Sequence, residues 1–240
     1  MLEGRRILVT GAGSGIGAAT LALARERGAL VFGLDIASPS GRELGGFARA
    51  DVTDVAGVER AVAEAAAQMG GIDGLANVAG IAGGTLIENT DLDAWNRIFA
   101  VNVTGTLNVT RAALPYLRRA EEASIVNISS GQGLRPFPGA GAYGASKRAV
   151  LSLTQTWAQE FAPKIRVNAV CPGAVDTPML RAAAAQPPSG GQTPPGGESY
   201  ALRRIAQPRE IAAAIAFLLG SDASFVTGAI LPVDGGRCYH

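Results

Sequence analysis

The chain has 240 residues, 48% of them hydrophobic, and its 21 Lys and Arg against 20 Asp and Glu give a formal net charge of +1. Such a chain can bury a large core and is within the size of one α/β domain, so residues 1–240 read as a single unit. With so balanced a charge and no basic cluster interleaved with aromatic residues, binding to nucleic acid or to a membrane surface has no support.

The N-terminal Met1-Leu2-Glu3-Gly4-Arg5-Arg6 leads into a short apolar run broken by glycine, unlike the uninterrupted apolar region of a signal peptide. No apolar stretch approaches the ~18 residues of a membrane span. The two cysteines, Cys171 and Cys238, have no metal-ligand spacing, so no metal is expected. A chain of this size needs no disulfide scaffold, and a reducing cytoplasm fits best. Cys171 reads as a small core residue, because the sole histidine, His240, cannot readily serve as its base.

Short β-branched runs alternate with longer alanine-rich segments of helical period, the pattern of repeated βαβ units and a parallel sheet covered on both faces. Strands are expected at 7–10, 30–35, 48–51, 74–77, 124–128, 166–170 and 229–233. Helices should begin near Gly15, Val55, Leu92, Ala142 and Pro208. The stretch 179–199 contains Pro187-Pro188 and Pro194-Pro195 with paired glycines, and should form neither a continuous helix nor a ladder strand. It reads as a mobile excursion reaching about residue 206, either an insertion without a role or a lid over the strands' carboxyl ends.

The first chemical motif is Thr10-Gly11-Ala12-Gly13-Ser14-Gly15-Ile16-Gly17, where the first strand should give way to a helix. Glycines there allow a tight turn and close approach to a pyrophosphate, and the helix start supplies N–H donors; Gly11, Ser14, Gly15, Ile16 and Gly17 are the candidates. A glycine-rich turn without ligand is the competing reading. Asp35 ends the second strand about twenty residues on, where a carboxylate can accept from both ribose hydroxyls of an adenosine. It also repels a 2′-phosphate, and no Lys or Arg beside it in sequence offsets that, so NAD is expected over NADP. Asp51 and Val52 should meet the adenine, and Asn77, Ala79 and Gly80 close the fourth strand.

The second motif is Tyr143-Gly144-Ala145-Ser146-Lys147, whose spacing puts a phenol and an ammonium on one helix face. A lysine cation near a tyrosine favours the phenolate, and a phenol so tuned can exchange a proton with a substrate oxygen. A bare pair at this spacing is also common on solvated faces. Here, however, Lys147 is one of only two lysines in the chain.

Together, Thr10-Gly11-x-x-x-Gly15-x-Gly17, Asn77-x-Ala79-Gly80, Asn102, Ser130, Tyr143-x-x-x-Lys147 and Pro172-Gly173 resemble the short-chain dehydrogenase/reductase family, over residues 5 to 236. The resemblance implies a Rossmann-type, doubly wound, mainly parallel seven-stranded sheet with helices on both faces. It implies hydride transfer at nicotinamide C4 and a homotetramer or dimer. By the same resemblance, Tyr143 is the general acid/base and Lys147 lowers its pKa while holding the nicotinamide ribose. Ser130, rather than its neighbour Ser129, would hydrogen-bond the reacting oxygen. Asn102 would hold a water linking Lys147 to solvent. Pro172, Gly173, Val175 and Thr177 would meet the nicotinamide amide, and the Pro-rich excursion takes the place of the family's substrate loop.

Val78 departs from the family, many of whose members have a second asparagine there. The proline and glycine of the excursion also differ from the short helices common at that place. Candidate substrate residues are Ser130, Tyr143, Gln132, Leu134, Phe137 and Met179. Arg135 could pair a substrate carboxylate or stay solvated. The closing Asp234-Gly235-Gly236-Arg237-Cys238-Tyr239-His240 could reach a neighbouring subunit. The leading expectation is an NAD-dependent dehydrogenase acting on a small alcohol or ketone. A 3-ketoacyl thioester reductase and a catalytically silent dinucleotide sensor are the alternatives.

Overall fold

The computed structural model describes residues 2–38, 45–185 and 197–238. Seven parallel strands form one sheet: β1 (Arg6–Thr10), β2 (Leu30–Asp35), β3 (Gly46–Arg49), β4 (Gly74–Asn77), β5 (Ala123–Ile128), β6 (Ile165–Pro172) and β7 (Ile230–Val233). Their order is β3-β2-β1-β4-β5-β6-β7. The order reverses between β1 and β4, and such switch points open a crevice at the strands' carboxyl ends.

Alternation along the strands builds two cores. Leu8, Phe32, Leu34, Ile125 and Val167 point to one face. There they meet Val58 and Val62 of α2 (Val55–Met69), Val109 and Ala113 of α4 (Thr106–Leu117) and Trp157 of α6 (Gly141–Glu160). Ile7, Val9, Val31, Val126 and Ile128 point to the other, against Leu21 of α1 (Gly15–Glu26) and Ile211 and Ile215 of α8 (Pro208–Leu219). Removing a fully buried side chain such as Leu8 should cost about 2–5 kcal/mol. No helix among the described residues is long and apolar enough to cross a membrane.

Several boundaries differ from expectation for local reasons. The third strand ends at Arg49 because Asp51 turns the chain, its Oδ1 accepting from the Thr53 N–H at 2.9 Å and hydroxyl at 2.8 Å. Among the described residues, three α-helices lay outside the sequence reading. One is α4, which holds Pro115 and is rich in β-branched residues. It follows α3 (Leu92–Phe99) through a π-helical stretch, Ala100–Gly105. Another is the short, glycine-rich α5 (Gly131–Leu134). Within the stretch 179–199, expected to form no continuous helix, a short helix, α7 (Pro178–Ala184), occupies the start. Pro178 occupies its first turn, where its missing N–H costs nothing. The Thr177 hydroxyl caps it, accepting from Leu180 N–H at 3.2 Å. Residues 186–196 of the expected lid lie outside the described residues.

Candidate active site

The glycine-rich loop joins β1 to α1 at the switch point. Gly11 (φ +67°) has no room for a side chain, since a Cβ would stand 2.8 Å from the Ala79 amide nitrogen. A Cβ on Gly17 would strike the Gly11 carbonyl oxygen at 2.0 Å, so α1 can start this close to the loop only with glycine there. The Thr10 hydroxyl accepts from the Val78 and Ala79 amides, both at 3.0 Å, and ties the ends of β1 and β4 together. Ser14 caps α1 without a side-chain hydrogen bond and no acidic residue occupies the first turn, so the N–H groups there face a site suited to an anion.

Beside this loop Asp35 accepts from Gly13 N–H at 2.9 Å and from Ala37 N–H at 3.1 Å. The carboxylate is thereby oriented at the cavity rim with lone pairs still unused. Pairing of β2 with β3 sets Arg49 opposite Asp35, and its Nε donates to the Ile36 carbonyl at 2.8 Å. That arginine is fourteen residues from Asp35 in sequence, beyond the reach of a local motif.

A cavity of about 410 Å³ runs from the loop to the catalytic candidates. Gly11, Ser14, Gly15, Ile16, Gly17 and Asp35 line one end, with Asp51 and Val52 beside them. Ala79 and Gly80 follow, then Ser130, Gln132, Tyr143 and Lys147. Pro172, Gly173, Val175, Thr177, Met179 and Phe137 complete the sequence-predicted set that reaches it. The glycine cradle, the positive helix start and the carboxylate at the rim fit a dinucleotide.

At the far end Lys147 is buried, and its Nζ donates to the Ile128 carbonyl at 3.0 Å, 5.7 Å from the Tyr143 ring centroid. Burial pulls the ammonium down to about 8. Ser130 Oγ accepts from the Gln132 N–H at 3.1 Å and lines the cavity with Tyr143, whose phenol it pulls downward, while the Ser129 hydroxyl is buried and donates to the Lys147 carbonyl at 2.7 Å. The two serines are therefore separated by geometry. The expected lowering of the phenol by Lys147 is corrected here: desolvation pushes Tyr143 up, and Ser130 is the influence acting downward.

Three predicted residues do not line the cavity. Asn77 turns inward, donating to Thr110 Oγ1 at 3.0 Å and Asn127 Oδ1 at 2.9 Å, and so ties strands to α4. Leu134 packs with Leu151, Ala169 and Cys171 in a small core. The Asn102 side chain is spent on protein: Oδ1 accepts from Ile81 N–H, and Nδ2 donates to the Ile81 carbonyl and Ser146 Oγ. A water there would have to use the Asn102 main-chain carbonyl, which also accepts from Thr106. Cys171 is buried as expected of a core residue, and desolvation pushes its thiol up to about 11.

Two lining residues carried no local signal in the sequence. Tyr200 is buried and its hydroxyl accepts from Ala174 N–H at 3.0 Å. Arg237 comes from the closing segment that could reach a neighbour; its own side chain lines this cavity and donates to the Arg135 carbonyl. Arg135 does not line it and contributes only its carbonyl, which accepts from Arg237. Among the described residues no cluster of His, Cys, Asp or Glu could hold a metal.

This sheet, loop and cavity define a nicotinamide-dinucleotide oxidoreductase fold. The family described as Enoyl-(Acyl carrier protein) reductase matches residues 11–238. The 2-(S)-hydroxypropyl-CoM dehydrogenase 3 of Xanthobacter autotrophicus is 38% identical, over 98% of this chain and 97% of its own. The ligand-free aldohexose dehydrogenase of Thermoplasma acidophilum superposes with a TM-score of 0.93 at 37% identity, over 100% of this chain and 96% of that one. The 3-ketoacyl-(acyl-carrier-protein) reductase of Brucella melitensis, complexed with NADH, gives 0.89 at 34%, over 99% and 100%. The chain belongs to the short-chain dehydrogenase/reductase family of oxidoreductases.

Proposed function

We propose that the protein interconverts a secondary alcohol and a ketone with NAD, using Tyr143 as general acid/base. The observation that carries this reading is Lys147 Nζ 5.7 Å from the Tyr143 ring centroid, with Ser130 lining the same cavity, at the end away from the Gly13–Asp35 contact. When bound, the dinucleotide supplies or accepts hydride at nicotinamide C4. Asp35 would hold the adenosine ribose, Asp51 and Val52 the adenine, and the loop from Gly11 to Gly17 the pyrophosphate. Pro172, Gly173, Val175 and Thr177 would flank the nicotinamide, near Lys147.

In reduction the Tyr143 phenol donates its proton to the oxygen of the carbonyl substrate while Ser130 holds that oxygen. In oxidation the direction reverses, and Tyr143 accepts the alcohol proton. Lys147 would hold the nicotinamide ribose hydroxyls, and a water at the Asn102 carbonyl would link Lys147 to solvent, so that a proton could be exchanged there.

A second reading, reduction of 3-ketoacyl thioesters, gains support from the Brucella reductase, which holds NADH. Asp35 therefore does not count against it. Steady-state kinetics over alcohols, ketones and ketoacyl thioesters with NAD(H) and NADP(H) tests both readings. Dinucleotide binding without turnover of any of them would favour the silent sensor instead.

A further inference from the structure

Among the described residues, five charged side chains line the cavity: Asp35, Asp51, Arg97, Lys147 and Arg237. Both carboxylates stand at the adenosine end, where Arg97 pairs with Asp51 at 3.3 Å. Lys147 belongs to the reaction centre. Arg237 is left, half-buried, and among the described residues no carboxylate lies within 4.0 Å of it.

Its position is well defined. One Nη donates to the Arg135 carbonyl at 3.0 Å, and the guanidinium lies 5.8 Å from the Phe137 ring centroid. The other Nη stands 2.6 Å from where a Cβ on Gly131 would be, so glycine makes room for the guanidinium directly after Ser130. That nitrogen makes only a weak contact, 3.9 Å, to Cys238 Sγ. A guanidinium has five N–H donors, and here three have no partner among the described residues. Asp234, the nearest acid in sequence, spends its two oxygens on the Gly236 and Cys238 amides.

We propose that Arg237 is a specificity-determining residue that pairs a carboxylate on the substrate, so that the natural substrate is a hydroxy or oxo acid rather than a neutral alcohol. The inference rests on the alcohol–ketone reading above. A planar guanidinium held by a carbonyl and an aromatic ring is pre-organised for a bidentate carboxylate, and partial burial strengthens the pair. Hydride transfer itself does not involve this residue, and a neutral ketone should react without it.

The test uses 4-oxopentanoate, 5-oxohexanoate and 4-oxocyclohexanecarboxylate, each against its methyl ester, with NADH. Binding of the same compounds to the enzyme–NADH complex is followed by calorimetry. At least one acid should exceed its ester tenfold or more in kcat/KM or in affinity. Arg237→Gln should remove that preference while leaving ester kinetics within about twofold, and Arg237→Lys should restore part of it. An unchanged preference in Arg237→Gln, equal loss for acid and ester, or no preference in the unmodified enzyme would each overturn the proposal. If no ketone in the set turns over, the alcohol–ketone reading fails for them. The calorimetry then decides on Arg237 alone: acid binding lost in Arg237→Gln upholds it, and absence of acid binding refutes it.

Discussion

Gly13 donates its amide hydrogen to the Asp35 carboxylate at 2.9 Å, so the turn that would cradle a pyrophosphate and the side chain that would hold the ribose are one unit. A Cβ on Gly13 would stand 3.0 Å from Asp35 Oδ2 and 2.8 Å from the Ala37 carbonyl oxygen. Asp35→Ala should therefore cost NAD affinity about tenfold or more, since a hydrogen bond to a charged group is worth ~1.5–3 kcal/mol. The ratio of kcat/KM for NAD over NADP should fall with it. Arg49, beside Ile36, would soften the repulsion of a 2′-phosphate, so Arg49→Ala should raise that ratio. A ratio that ignores both changes would remove this account of cofactor choice.

Gly80 stands at the other end of the cavity, where a Cβ would lie 3.2 Å from Lys147 Nζ and 3.0 Å from Asn102 Oδ1. Gly80→Ala should push the ammonium off the Ile128 carbonyl. A displacement near 1 Å at reacting groups can cost ~100-fold in rate. Turnover should thus fall strongly while circular dichroism and the melting temperature change little. Full activity in the variant would show that Lys147 tolerates a shifted position.

The sheet and the Tyr143–Lys147 pairing were legible because their signals are local. Tyr143 and Lys147 sit one helical turn apart, and Asp35 closes a plain apolar run. What escaped depends on tertiary contact. Arg49 reaches the Asp35 corner through the pairing of β2 with β3, and Tyr200 and Arg237 arrive from beyond the Pro-rich stretch. Asn77 and Asn102 have the family's spacing, yet their side chains serve buried hydrogen bonds that no spacing reveals. In α4, Val109, Thr110 and Pro115 are weak helix formers, and packing against α2 and β4 overrides them.

Lys147 also predicts a pH dependence of stability without any substrate. Its folded pKa of about 8 lies below the ordinary 10.5, because burial opposes the cation. Between these values the unfolded chain binds the extra proton, so this residue's cost to stability is full below pH 8 and fades toward pH 10.5. Lys147→Met should accordingly be more stable than the unmodified protein at pH 7, by a gap of about 1–3 kcal/mol. The gap should narrow as pH rises through that window. Denaturant unfolding of both proteins across the range measures it, and a gap independent of pH would contradict the buried-cation picture.

The last prediction separates the roles of Tyr143 and Ser130. In the ligand-free protein desolvation holds the phenol above its ordinary value, and Ser130 works against that. For alcohol oxidation the phenol must have lost its proton, so the rate should rise with pH through one ionisation. Ser130→Ala removes the downward influence and should move that ionisation to higher pH while also lowering the rate. Tyr143→Phe leaves no group at this position to carry the proton, and turnover should fall by ~10²–10⁴, the usual worth of a positioned acid or base. NAD affinity should stay nearly unchanged in Tyr143→Phe, because in the proposed mechanism the phenol would meet the substrate oxygen rather than the dinucleotide. Lys147→Ala should damage both affinity and rate. Calorimetric NAD titration paired with pH–rate profiles of the three variants checks this. Near-normal turnover by Tyr143→Phe would transfer the proton step to another group, whereas an unshifted profile in Ser130→Ala would leave Ser130 a binding role only.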